Sequence, residues 1–570
     1  MRQRRARAST ALARPSLVLG TGLLTLIAAP CSARAQRAAG VGEDAFVLPR
    51  GAVRVTLAPT FETADERFRA DGSRAPLGDV AGGVWDAARL RGLAAGERAL
   101  RDLTGDASAR LSLGVIRVVA AQRATIVPLA IEMGLGSRLQ VGVLLPFVRT
   151  IADVTGSTAG DPSSTAGLNP ALVRETALDS NTTLVRQLLA AARTRESAAG
   201  LPSDGCAGSA ASPCVVVNET RRAAAQLAAL YGTSLDESLG ALSGIAGAGA
   251  VPRLGTTEAS AVDARVAALR AALGGDASGI TNERPAHAAA PISATELATF
   301  VGDVRSGLGL DAFGPVQRTH FGDLEAQAKV SVIDGIGALG SDPRAPVGLR
   351  FAVAGVLRAP TGQGEQPGNA FDVGTGDGQT DVELRGVLDV TVGRAFWISG
   401  AARMIRQLED DQFVRAPVSL AEGVFAPAAA IVRAHRDLGD ALQLEVTPRW
   451  VPNQYFAVAA MYQVRRKEGD VYTLADGGTG GGVPGTDPDV SLVGAGTEFT
   501  EHRAGVGVTW STLGAARRGQ RVVPLDVSFL RVQTLRATGG STPAIATTQL
   551  RLRVWFGATR ATAPVGTTAR

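Results

Sequence analysis

Cysteine, histidine and aromatic residues are all scarce in this chain of 570 residues, which has 3 Cys, 4 His and 4% aromatics. The histidines His287, His320, His435 and His502 are scattered and form no HExxH pair, which excludes a helix-borne zinc hydrolase. There is no GxSxG elbow and no GK[ST] phosphate loop. No catalytic, cofactor or metal site is expected, and the chain does not read as an enzyme. After Ala35 no run of about 18 apolar residues occurs, so no membrane-spanning helix is expected. A net charge of +5 is small for this length and does not argue for nucleic acid.

What is present begins with an export signal. Arg2, Arg4, Arg5, Arg7 and Arg14 precede the apolar stretch "LVLGTGLLTLIAAP", and Ala33–Arg34–Ala35 supplies small residues at a cleavage site. Residues 1–35 therefore read as a secretory signal peptide, cut before Gln36. In an oxidising compartment Cys206 and Cys214, close together in "GCAGSAASPC", read as one local disulfide; a metal site would need more ligands.

The main pattern has period two. In "DLEAQAKVSVID" Leu324, Ala326, Ala328, Val330 and Val332 alternate with Glu325, Gln327, Lys329 and Ser331. "APVGLRFAVAGVLR", "TDVELRGVLDVTV" and "TQLRLRVWF" repeat the scheme, and further segments lie near 46–62, 138–150, 395–407, 453–466, 498–512 and 521–535. Strands this long, apolar on one face and charged on the other, fit a barrel with lipid outside and water inside; soluble sandwich strands run nearer five or six residues. The expected fold is an all-β membrane protein, an antiparallel transmembrane barrel of about 12 strands, in the range 12–14, with a helical extracellular insertion. Twelve strands result if 109–135 and 423–450 are each one long strand. The long connections 63–108, 151–321, 360–378, 408–422 and 467–497 then fall outside the cell. The turns at Gly136–Ser137, Gly393–Arg394, Pro452–Asn453 and 513–520 fall in the periplasm.

The same alternation assigns faces. Glu325, Lys329, Arg350, Glu383, Arg385, Glu445, Arg449, Arg551 and Arg553 are expected in the lumen. Phe396, Trp450, Phe456, Trp510 and Phe556 are expected toward lipid beside the periplasmic ends, as one interfacial belt requires. Residues 36–152 and 322–557 form the two parts of the barrel, and 558–570 is a tail. Between the parts, 153–321 is rich in Ala, Leu and Arg and changes to a helical period, which predicts a helical insertion at the outer mouth.

One stretch, "LRAPTGQGEQPGNAFDVGTGDGQTDVELR", interrupts the alternation between residues 357 and 385. Asp372, Asp377 and Asp381 could supply calcium ligands, but the closing Glu and the spacing of a calcium loop are missing. It reads as a solvated outer hairpin loop that Pro360 opens by ending a strand.

"MGLGSRLQVGVLLPFVRT" and "FAVAGVLRAPTGQG…FDVGTGDGQTDVELRGVLDVTVG" resemble phrases of the outer-membrane transporter barrels named for phenol meta-pathway degradation, similar in kind to long-chain fatty-acid transporters. Ala359 departs from the Leu that this family carries before Pro-Thr-Gly. The resemblance implies a Gram-negative outer-membrane location and a porin-like transporter, with membrane lipid and a small solute as its partners. The expected function is passive uptake of small solutes, aromatic or apolar ones included. The alternative is a surface-exposed structural or binding barrel whose insertion contacts a partner.

Overall fold

The computed structural model describes residues 42–557, apart from 159–160, 162, 235–248, 304–307, 312, 337–346, 370, 394, 476–487 and 518. The signal peptide, its cleavage site, Arg394 and the tail 558–570 lie outside the described residues.

Twelve antiparallel strands close into a barrel. Strand β1 is Val53–Leu57 continued, past a break at Pro59, as Thr60–Ala64. β2 is Ser112–Gly134 and β3 is Leu139–Thr158. β4 is Val316–Phe321 continued as Leu324–Asp334. β5 (Val347–Ala359), β6 (Asp381–Val392), β7 (Phe396–Gln407) and β8 (Ala441–Trp450) follow. β9 (Phe456–Lys467), β10 (Phe499–Ser511), β11 (Leu525–Gly539) and β12 (Ala546–Phe556) complete the wall. Closure is direct: Val53 pairs with Phe556 and Leu57 with Leu552, while Val53 also faces Met133 on β2. Among the described residues the barrel wall itself has no free edge, as a backbone surrounded by hydrocarbon requires.

Short turns gather at one end. Gly393 takes a φ of 60° between β6 and β7. At the next such turn the Asn453 side chain accepts from the amides of Tyr455 and Phe456, a turn-forming habit of asparagine. The outer face is apolar. Leu384, Met404, Leu444, Val506 and Leu550 are all exposed there, a surface that lipid and not water must cover. Among the described residues no helix is long and apolar enough to cross a membrane; the strands do so.

Two aromatic rows bound the apolar face. Phe396, Trp450, Phe456, Trp510 and Phe556 are exposed on it at the short-turn end. Phe61, Phe147 and Phe321 form a second, partial row, with Phe147 and Phe321 at 4.6 Å between ring centres. Phe61 lies about eight residues along from Val53, roughly 20 Å at the usual rise and tilt.

Beyond that second row β2 and β3 continue as a protruding hairpin, paired as far as Ile116 and Thr158. Five helices pack on it: α1 (Arg91–Thr104), α2 (Glu175–Ala198), α3 (Ser212–Tyr231), α4 (Thr257–Leu273) and α5 (Ala294–Gly302). Leu113, Ile116, Val118 and Val154 of the hairpin share one core with Trp85, Leu100, Leu188, Leu227, Leu269 and Phe300. The helical part thus has a packed core of its own. α1 belongs to it although it precedes β2, because its Leu93, Leu100 and Leu103 are buried in that core. Thr256 caps α4, and Ser293 with Glu296 forms a capping box on α5. The Cys206–Cys214 disulfide is formed and lies at the start of α3.

Two expectations are corrected. Residues 423–450 are not one strand. Ile431–Asp437 pairs with Asp410–Arg415 and Val471–Leu474 in a separate sheet above the wall. The chain leaves the wall at Gly439, whose amide is taken by Asp470 Oδ1 at 2.8 Å. Residues 46–62 are not one strand either: the wall begins at Val53, and the residues before it run inside the barrel.

Candidate functional site: the barrel interior

Residues 42–50 enter the lumen from the short-turn end and make no strand pairing with the wall. The wall's inward side chains hold them. Leu48 N donates to Gln140 Oε1 at 2.9 Å, and Gln140 in turn donates to Glu132, the partner of Arg54. Ala45 N donates to Asp389 Oδ2 at 2.9 Å, and Ser399 donates to the other oxygen of that carboxylate. Phe46 lies under the Arg350 guanidinium, 5.3 Å from its ring centre. Leu48 and Ala52 pack on Trp555 and Leu513 at the exit.

Higher in the lumen the segment is acidic. Glu43 Oε1 accepts from Arg385 at 2.9 Å and Arg403 at 2.8 Å. The Asp44 carboxylate faces Arg553 at 3.5 Å and Lys329 at 4.0 Å, and Lys329 also donates to the Asp44 carbonyl. Arg449 donates to the Glu43 carbonyl at 3.0 Å. Gly42, with φ of 84°, passes so close to the wall that a Cβ would sit 2.7 Å from Glu445 Oε1 and from Thr447 Oγ1. Only glycine serves there. Cavities of about 160 Å³ and 250 Å³ flank the segment.

The opposite mouth carries a second obstruction. The loop from Pro360 to Gln379 is solvated in part, as its composition predicts, with Thr361, Gln363, Glu365 and Gln366 exposed; its second half, around Asp372, Thr375 and Gln379, folds inward. Thr150, on the inner face of β3, donates to the Val373 carbonyl at 2.8 Å. Asp323 accepts from the amides of Gly362 at 2.8 Å and Asp377 at 3.2 Å. Asp372 pairs with Arg318 at 2.7 Å, and Arg415 donates to the Pro367 carbonyl at 2.7 Å. Gly362, Gly374 and Gly376 have a steric cause: a Cβ on Gly376, for instance, would lie 2.4 Å from Asp323 Oδ2. Side-chain carboxylates satisfy the loop's amides, so it is held without a hydrophobic core.

Beside this loop, lined by it and by the inner face of the wall, is a vestibule of about 650 Å³. Its walls mix apolar Leu310, Phe413, Val424 and Tyr472 with Glu365, Asp377, Arg415 and Arg436. Burial pushes the Glu365 carboxyl above its ordinary value, and neighbouring Asp372 adds to this. Burial also pushes Asp377 up, with the Asp323 carboxylate adding to it against the opposing hydrogen bond from the Gln379 amide. Residues 308–310 reach this space from the helical part, where Arg415 donates to the Leu308 carbonyl at 2.8 Å.

Glu325, Lys329, Arg350, Glu383, Arg385, Glu445, Arg449, Arg551 and Arg553 all lie on the inner face. Several pair with each other or with inner neighbours: Arg385 with Glu383 at 2.7 Å, Glu325 with Arg358 at 2.9 Å, Arg350 with Asp334 at 3.0 Å. Lys329, Arg385, Arg449 and Arg553 converge on the N-terminal segment. Sequence reasoning missed Glu43 and Asp44 themselves, and their partner Arg403. The available clue was "GVGEDAFVLPRG", an acidic pair followed by a Pro-Arg-Gly turn before the first alternating run. His502 sits on the outer face, its Nδ1 2.8 Å from the Tyr462 hydroxyl. Asp372, Asp377 and Asp381 do not gather: Asp372 and Asp381 are spent on Arg318 and Arg358. Among the described residues no group of three or more His, Cys, Asp or Glu is placed to hold a metal.

No family model matches the chain. No curated protein matches it either. Solved structures are similar in outline. An outer-membrane channel from Pseudomonas putida F1 is 10% identical, with 90% of this chain and 99% of that one covered and a TM-score of 0.40. A FadL homologue from Pseudomonas aeruginosa is 7% identical over 90% and 91%, with a TM-score of 0.24. The CymD monoaromatic hydrocarbon channel is 8% identical over 89% of each chain, with a TM-score of 0.25. These likenesses are too distant to assign a role; the barrel rests on its own strand pairing.

Proposed function

We propose that this protein is an outer-membrane channel for passive uptake of small solutes, aromatic or apolar ones included. On this reading the short turns face the periplasm and the helical part faces the medium, as such barrels are usually placed. The observation that carries it is the manner in which the lumen is closed. A structural barrel fills its bore with its own side chains. Here a separate stretch, residues 42–50, occupies the bore without joining the sheet, held by side-chain contacts that can be exchanged for water or solute. The vestibule beyond it offers apolar walls beside a few charges, the usual composition of a site for small organic molecules.

The helical part is not the gate on this reading. It packs on the protruding β2–β3 hairpin and, among the described residues, contributes only those near 308–310 to the vestibule roof. The gates are the N-terminal segment and the loop 360–379. The competing role, a surface barrel that binds a partner through its helices, would leave the lumen shut. Liposome swelling with small sugars and amino acids, phenylalanine included, measured beside protein-free liposomes, separates the two. A channel swells liposomes with at least one of these solutes; a binding barrel swells them with none.

A further inference from the structure

The contacts around Glu43 and Asp44 have the form of a carboxylate site occupied by the protein's own chain. One oxygen of Glu43 accepts from two guanidinium groups, at 2.8 and 2.9 Å. Among the described residues Lys329 and Arg553 make ion pairs with Asp44 alone, and each is only 6% exposed. When the segment withdraws, these cations lose their ion-pair partner in a narrow space and keep only the wall carboxylates beside them, Asp526 opposite Arg553 and Glu132 in the cavity that Lys329 lines. Unpaired charge in such a space is costly unless water or another anion replaces what has left.

We propose that the lumen holds a binding site for the carboxylate of a small monocarboxylate, which competes with Glu43 and Asp44 for the same cations and so opens its own path. The inference rests on the channel reading above. The charge of the solute follows from the surroundings. Glu383 lies 2.7 Å from Arg385, Glu445 3.9 Å from Arg403, and Asp389 is buried close by. These fixed carboxylates oppose a second negative charge, which disfavours phosphate and dicarboxylates. The rest of the solute is indicated by the wall beside Arg403. Met461, Leu530 and Val532 form an apolar patch in the cavity of about 250 Å³ there, which Arg503, Arg551, Gln463 and Gln549 also line. A cavity of roughly 150 Å³ holds benzene. A single aromatic ring or short alkyl chain ending in one carboxylate matches both halves.

The test is single-channel recording of the full mature chain in planar bilayers, with benzoate, benzyl alcohol or inorganic phosphate added. Benzoate is expected to raise the chloride conductance, while benzyl alcohol and phosphate leave it unchanged. The double variant Glu43→Gln with Asp44→Asn should raise the basal conductance roughly tenfold, the scale of losing one charge-assisted contact. It should also lose its response to benzoate. If benzoate and benzyl alcohol change the current alike, the carboxylate site is wrong and the channel stands. If phosphate acts as benzoate does, the monocarboxylate assignment is wrong. If neither the wild type nor a variant that keeps the heat-modifiable mobility of a folded barrel conducts at all, the channel itself fails. Should the variant not fold, the wild-type comparison of benzoate with benzyl alcohol decides alone.

Discussion

Asp44 and Arg553 stand 509 positions apart in the chain, and their side chains meet at 3.5 Å inside the barrel. One belongs to the segment threaded through the lumen and the other to the strand that closes the wall. The pair joins the two ends of the protein where a solute would have to pass. Lys329, from the middle of the chain, faces the same carboxylate from across the bore.

Asp44→Asn should therefore loosen the segment more than the loss of one hydrogen bond would. It leaves Lys329 and Arg553 without their ion pair, at a cost of about 3 kcal/mol, the low end for a buried pair broken on one side. Lys329→Met combined with Asp44→Asn should recover part of that loss. Protease sensitivity of the N-terminal segment in detergent-solubilised protein reads both effects. Equal resistance in all three proteins would show that the charges do not hold the segment.

Gly376→Ala should drive the mouth loop outward, because the new methyl group would meet the Asp323 carboxylate at 2.4 Å. Barrel melting should hardly change, since the loop contributes no strand to the wall. Solute flux should rise, provided that the N-terminal segment has also been removed. Unchanged flux in that background would mean that the loop does not narrow the path.

The same loop should respond to pH. Glu365 and Asp377 have raised values in the folded loop, so they bind a proton there more readily than in the extended chain. Ionised, they disfavour the inward fold at neutral pH; this penalty disappears as pH falls through the raised values toward those of the free side chains. Acidification should therefore tighten the loop and lower conductance. Asp377→Asn should flatten that dependence. Conductance that rises in acid, with the variant unchanged, would contradict the assignment.

Cys206 and Cys214 should both be absent from a thiol titration of unfolded, unreduced protein. Closing so short a loop contributes about 2.5 kcal/mol by chain entropy. Reduction should lower the melting temperature of the helical signal in circular dichroism and leave the β signal in place. Loss of both together would mean that barrel and helices unfold as one unit.

The barrel was legible because lipid on one side and polar groups on the other impose a strict alternation on every strand. That alternation places Glu383 and Arg385 on the face opposite Val382 and Leu384, whatever their partners are. It is blind to segments that pair with nothing. Residues 42–50 are defined by what they touch across the bore, contacts with Arg385, Arg403 and Arg553 that no local pattern records. Arg403 escaped notice because its run, "GAARM", has too little contrast between faces. The second half of the loop 360–379 misled for a related reason. Composition shows that it cannot form an apolar core, but not that Asp323 and Thr150 would bind its backbone instead. The break at Gly439 was hidden because alternation resumes in phase on the far side of it.

The most direct measurement is single-channel conductance of the mature protein beside a form lacking residues 36–47, both checked for heat-modifiable mobility. Gating by the N-terminal segment predicts a small conductance in the intact protein and a severalfold larger one in the truncated form. Equal conductance in two folded barrels, or no conductance in either, would contradict it.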